Sequence, residues 1–306
     1  MRSGPWLAAV LAAMLSAQGA QPARFALAIV RLDGRLVPFA AYDAGRWEQA
    51  WPHADDPAKA TPTIEEVPSI WRKRGEPVPT RWRVWPASGA PSVDARVTGV
   101  MVVESHCQAQ VALATDLPPA KGEGRQKFGI AADANLPVVA VEAVSGADVL
   151  WDTAERIVVA NFDALEAAKA LADRSPDLGE LPAPQPRLTH LYKETKAPRS
   201  PMYFVAEKKY RTARHPQDRK CGAATIVTGW LTTAEDGTVL LRDADVFLTD
   251  CDDKGVRRGL PLGAFRVSEQ HFWVMQEHGY EDETYRIAEI GATDVRYPIT
   301  FPGGGC

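Results

Sequence analysis

The chain carries none of the short motifs that announce a chemistry. It has no GxSxG elbow and no SxxK pair to activate a serine, and no HExxH to hold a catalytic zinc. It also lacks a GxxxxGK[S/T] phosphate loop and a GxGxxG dinucleotide turn; Gly122, Gly124 and Gly129 have the wrong spacing and no preceding strand. These absences argue against serine hydrolases, zincins, P-loop enzymes and dinucleotide enzymes, although a triad assembled from distant residues leaves no local pattern. An excess of positive charge is missing too. The 35 Lys and Arg face 39 Asp and Glu, for a net charge of −4, so no overall field draws the chain to nucleic acid. Beyond the amino terminus no apolar run is long enough to cross a bilayer, and no transmembrane segment is expected in the mature protein.

The amino terminus reads Met1-Arg2-Ser3-Gly4, then an apolar stretch from Trp6 to Leu15, then Ser16-Ala17-Gln18-Gly19-Ala20. A short charged region, an apolar core and a run of small residues, in that order, predict a secretory signal peptide over 1–20, cut after Gly19 or Ala20. The apolar core makes about 15 Å of helix against roughly 30 Å of hydrocarbon, too short for an anchor. The mature chain is therefore expected to be soluble and exported, to the periplasm or beyond. An exported chain with four cysteines, Cys107, Cys221, Cys251 and Cys306, predicts two disulfides, and without a CxxC pair a Cys-ligated metal is the weaker reading. If Glu235-Asp236-Gly237 forms a three-residue hairpin loop, an unbroken ladder sets Cys221 opposite Cys251 and leaves Cys107 for Cys306. A bulge near Asp243 or Asp245 would break that register.

What fills the chain is a succession of short apolar or alternating runs bounded by turn residues, the pattern of antiparallel strands. The first half predicts strands over 25–30, 36–41, 96–103, 108–114, 138–144 and 156–160, with Asp33-Gly34 turning a hairpin between the first two. A short Ala- and Leu-rich helix is predicted over 163–172, capped by Asn161 or Asp163. Six prolines between residues 175 and 201 predict a linker. After it come seven more strands over 203–211, 225–233, 238–250, 265–267, 272–278, 285–290 and 295–301. The expected fold is mainly β, with antiparallel sheets in a sandwich or barrel-like arrangement and one short helix. An α+β fold is the alternative. Two domains are expected, an amino-terminal one over 21–174 and a carboxy-terminal one over 202–306.

Residues 45–92 differ from the rest. Trp47, Trp51, Trp71, Trp82 and Trp85 are threaded among prolines, which predicts a long structured loop rather than a sheet interior. Within it Trp71-Arg72-Lys73-Arg74 and Arg81-Trp82-Arg83-Val84-Trp85 alternate cations with aromatic faces. Rings stack on flat apolar surfaces and guanidinium groups pair with carboxylate or phosphate, so Trp71, Arg72, Arg74, Arg81, Trp82, Arg83 and Trp85 form a candidate site for an acidic polysaccharide or envelope polymer. The plainer reading makes the tryptophans a small core with arginines stacked on them.

Three further clusters hold polar chemistry. Glu277, His278, Glu281, Asp282 and Glu283 gather at an expected hairpin tip, where a four-residue turn from Gly279 to Asp282 sets His278 opposite Glu283. Such carboxylates can raise one another's pKa for general-acid work or hold a divalent cation, the one cofactor considered; otherwise the tip is solvated surface. Glu104-Ser105-His106-Cys107 resembles catalytic parts, but adjacent strand residues face opposite ways. Asp250-Cys251-Asp252-Asp253-Lys254-Gly255 opens like a calcium loop, yet has Lys254 at position five and Pro261 at twelve. The favoured expectation is a non-catalytic binding or envelope-associated protein for an acidic polymer. The alternatives are a secreted hydrolase using Glu277 to Glu283 and a structural component of a surface assembly.

Overall fold

The computed structural model describes residues 24–49, 53–54, 77–105, 108–120, 128–173, 185–195, 197, 199–210, 223–249 and 255–305. The expected signal peptide, Trp51, Trp71, Arg72, Arg74, His106 and all four cysteines lie outside these residues. As the strand pattern predicts, the fold is mainly antiparallel β.

Strands β1 (Arg24–Val30) and β2 (Leu36–Asp43) form the Asp33-Gly34 hairpin. Gly34 has φ +81°, and an added Cβ would meet the Leu117 carbonyl oxygen at 2.6 Å, so both conformation and space demand glycine. β3 (Arg46–Glu48), β4 (His53–Ala54), β5 (Arg81–Pro86), β6 (Val93–Ser105), β7 (Gln108–Thr115) and β8 (Gly129–Ala132) complete the first sheet. Its order is β3-β2-β1-β8-β5-β6-β7-β4, and Leu36 of β2 also pairs with Leu113 of β7. That contact closes β2, β1, β8, β5, β6 and β7 into a six-stranded barrel.

A second sheet follows the order β13-β12-β11-β10-β9, with β9 at Val141–Ala143, β10 at Arg187–Glu194, β11 at Met202–Lys209, β12 at Ala224–Thr233 and β13 at Val239–Thr249. The third sheet is a meander of β14 (Arg258–Val267), β15 (Gln270–His278), β16 (Asp282–Ile290) and β17 (Val295–Gly305). Side-chain alternation sorts these sheets into layers. On β15, Phe272 and Val274 pack with the barrel residues Leu27, Phe39 and Val111, while Trp273 and Met275 pack with Tyr203, Ile226 and Trp230 of the second sheet. On β11, Phe204 and Ala206 turn the other way, toward helix α1 (Val149–Asp173). The order through the molecule is barrel, meander, second sheet, helix. The barrel–meander core thus takes residues from both sides of 175–201. Among the described residues no helix is long and apolar enough to cross a membrane.

Four local expectations need correction. The helix spans 25 residues, absorbing the strand expected over 156–160. Ile157-Val158-Val159 reads as strand by its β-branched residues, but Leu150, Ala154, Val158, Phe162 and Leu165 recur at helical spacing and pack on the second sheet. Packing outweighs propensity there. The cap is Asp148, whose Oδ1 accepts from the Leu150 N–H at 2.9 Å. Second, β5 is not part of a loop: it lies inside the barrel sheet between β8 and β6. Third, β10 occupies the proline-free interval of the expected linker. Finally, the β12–β13 ladder is not unbroken. Trp230 pairs with Asp243 but Leu231 with Leu241, so Arg242 bulges and the register that set Cys221 opposite Cys251 no longer extrapolates.

Helix and sheet are joined by a buried polar cluster. The Lys208 Nζ donates to Glu166 and Asp163, both at 2.9 Å, and Glu166 also accepts from the hydroxyls of Tyr210 and Thr225. Burial alone would lower the Lys208 pKa, but its hydrogen bonds to Tyr210, Glu166 and Asp163 outweigh it and raise the value. Burial, with the Glu166 carboxylate beside it, pushes the Tyr210 phenol up to about 12.

Candidate functional site

Period-two alternation on β5 and β6 builds a cleft on the barrel wall. Arg81 and Arg83 point out while Trp82 and Val84 point in; Asp94 and Arg96 point out while Ala95 and Val97 point in. The antiparallel register places Arg81 directly opposite Arg96, and Arg83 opposite Asp94. Together with Asp116, Asp133 and Ala132 they line an open cleft of about 450 Å³.

The cleft holds three guanidinium groups and three carboxylates, Asp94, Asp116 and Asp133, but they are not joined in close ion pairs. Like charges directly opposite on a sheet are destabilising, yet no ion pair reaches Arg81, Arg83 or Arg96 among the described residues. The Arg83 Nε donates to Ser92 Oγ at 3.0 Å. Two of the three carboxylates are engaged by main chain: Asp116 accepts from the Arg96 N–H at 2.8 Å, and Asp133 from the Ala26 N–H at 2.7 Å. Elsewhere guanidinium groups meet carboxylates closely, as Arg257 does Asp282 at 2.7 Å and Arg286 does Glu277 at 2.8 Å.

The expected aromatic contacts require correction. Trp82 is 1 % exposed and donates its Nε1–H to the Pro79 carbonyl at 2.9 Å, so its ring is core and presents no face to a ligand. Trp85 packs partly buried against the same core, and Trp47 packs with Phe25, Tyr42 and Phe272. Of the residues singled out from sequence, Arg81 and Arg83 reach the cleft with their charges outward. Asp94, Arg96, Asp116 and Asp133 also line the cleft, and a loop reading of residues 45–92 gives no ground for joining them to Arg81 and Arg83. Pairing a strand at 81–86 with one at 93–105 places Asp94 and Arg96, whereas Asp133 arrives with the end of β8.

The acidic tip folds with the expected turn, in which the Gly279 N–H donates to the Asp282 carbonyl at 2.9 Å and His278 stands opposite Glu283. The side chains then diverge. Asp282 pairs with Arg257, Glu277 pairs with Arg286, Glu283 is buried and accepts from Gln276 Nε2 at 3.3 Å, and Glu281 is exposed. Among the described residues no three His, Cys, Asp or Glu side chains come together in a way that could hold a metal ion. Cross-strand guanidinium groups drew the carboxylates apart.

Only Glu277 of that cluster opens onto a second cleft, of about 300 Å³, between the second sheet and the meander. Tyr203, Thr228, Asp245, Phe247, Arg257, Arg286 and Thr300 complete its lining. The Arg286 guanidinium lies 3.5 Å over the Tyr297 ring, with Glu277 at 2.8 Å and Asp245 at 3.9 Å. Burial raises the pKa of Asp245 and of Glu277, in each case against the pull of Arg286. Burial likewise pushes the Tyr203 phenol upward. Charged residues such as Asp243, Asp245 and Arg286, set among apolar strand positions, were the available signal for this site.

Compared with known proteins, the chain matches no family model, no curated protein and no solved structure.

Proposed function

We propose that this is an exported, non-catalytic binding protein that takes an acidic polymer, such as an envelope or extracellular polysaccharide, in the β5–β6 cleft. Arg81, Arg83 and Arg96 are the contacts. The reading rests above all on Arg81 standing directly opposite Arg96 with no ion pair to either among the described residues. Two guanidinium groups so placed repel one another, and an anion bridging them turns that repulsion into charge-assisted hydrogen bonds. Cross-strand neighbours lie about 5 Å apart, and Arg83 follows Arg81 along the strand by about 6.6 Å. Three guanidinium groups on that grid suit successive carboxylate or sulfate groups of a chain better than one small anion. An open cleft admits a polymer without requiring its ends to enter. The charged, apolar and small-residue order of the amino terminus supports export to where such polymers occur.

Retention on immobilised alginate and heparin tests the reading. Wild type should be held at low salt and released as salt rises, while Arg81→Ala with Arg96→Ala should pass through with an unchanged melting temperature. Equal retention of wild type and double variant would refute it.

A further inference from the structure

The cleft on β5 and β6 carries a second kind of group beside its arginines. Arg81, Arg83 and Arg96 share it with Asp94, Asp116 and Asp133, so its formal charges sum to zero. A densely charged polyanion gains little there, because each anionic group that misses a guanidinium meets a carboxylate instead. The register sharpens this. Arg81 and Arg96 make one wholly cationic row across the two strands, and Arg83 and Asp94 make the next, about 6.6 Å along. Asp116 and Asp133 each accept from a main-chain N–H. Among the described residues no hydrogen bond or ion pair reaches the exposed carboxylate of Asp94. Arg83 is held separately, through Ser92 Oγ at 3.0 Å, so Asp94 is not what orients it.

Resting on the reading that an acidic polymer occupies this cleft, we propose that the polymer is an unsulfated polyuronate and that Asp94 determines this specificity. The Arg81–Arg96 row takes a carboxylate, and Asp94 accepts from a sugar hydroxyl beside it in a charge-assisted hydrogen bond. A uronic acid carries one carboxylate and free vicinal hydroxyls, and so offers an anion to the cationic row and a donor to the acceptor. A polymer sulfated at those hydroxyls has lost the donors and sets negative charge against Asp94. The assignment has a sign that charge attraction by itself does not reproduce. Removing a carboxylate from the cleft strengthens the binding of any polyanion, unless that carboxylate itself holds the ligand.

Calorimetric titration of the full chain with alginate oligomers, and with dextran sulfate of matched length, tests the proposal. Wild type should bind alginate more tightly than dextran sulfate. Asp94→Ala should weaken alginate binding about fivefold and strengthen that of dextran sulfate, with an unchanged melting temperature. Asp94→Asn keeps a carbonyl acceptor and should stay within about twofold of wild type on alginate. Alginate binding that is unchanged or tighter in Asp94→Ala, that falls equally in both variants, or that is weaker than dextran sulfate binding in the wild type would overturn the proposal and leave the arginine reading standing. A wild type that binds neither polymer, or that binds alginate no better than Arg81→Ala with Arg96→Ala, would overturn both.

Discussion

Replacing Lys208 with methionine should cost this fold about 3 kcal/mol. The Lys208 side chain is 6 % exposed and that of its partner Glu166 10 % exposed, with 2.9 Å between Nζ and Oε2. Methionine keeps the stem of the side chain and removes its charge, which strands a buried carboxylate. Breaking a buried pair from one side typically costs about 3–5 kcal/mol. The lower end applies because Glu166 keeps the Tyr210 and Thr225 hydroxyls as donors. Asp163, 80 % exposed, returns to water at little cost. For a chain of this size the melting temperature should fall by roughly 6–12 °C. The effect also has a pH signature. The Lys208 pKa is raised from 10.5 on folding, so the stability it contributes is fully present below that value and is lost as pH climbs through the folded value. Tyr210, raised from 10.0 to about 12, adds a loss in the same direction. Urea titrations should therefore show the gap between wild type and Lys208→Met narrowing above about pH 10. A variant within about 0.5 kcal/mol of wild type at neutral pH would refute the clamp.

Trp82→Ala should lose about 3–5 kcal/mol by thermal melting, because a fully buried ring leaves a cavity in the barrel; a neutral outcome would return the ring to the surface. Tyr297→Phe removes the acceptor for the buried Trp230 Nε1–H at 2.9 Å and the donor to Asp243 at 3.1 Å, and should cost about 1–3 kcal/mol in urea. Asp245 and Glu277 bind protons more tightly folded than unfolded, so unfolding free energy should decline as pH rises from their ordinary values of 3.8 and 4.5 through the raised ones. Asp245→Asn should flatten that decline above the ordinary value of 3.8, and an unchanged slope would show its carboxyl unperturbed.

Hairpins were the most legible part of the fold. Asp33-Gly34, Glu235-Asp236-Gly237 and the turn after His278 each declare their geometry in two to four residues, and each forms as read. Legibility failed where long-range packing decides. The helix face of Leu150, Ala154 and Val158 is defined by the sheet beneath it, which no local pattern reveals. β5 hid among prolines and tryptophans because its partners, β6 and β8, come later in the chain. The site suffered the same way: Arg81 and Arg83 stood out as a local run of cations, but Arg96 joins them only through the register. Alternation itself separates Trp82 from them, turning the ring inward while the two arginines point out.

On the proposed function, three arginines on the barrel wall, and not the tryptophans beside them, hold an acidic polymer. Calorimetric titration of the folded chain with alginate oligomers, at low and at physiological salt, tests it most directly. Each of Arg81→Ala, Arg83→Ala and Arg96→Ala should weaken binding by roughly tenfold, about 1.4 kcal/mol, with a shallower salt dependence and an unchanged melting temperature. Affinity that ignores all three substitutions, or that salt does not weaken, would contradict the account.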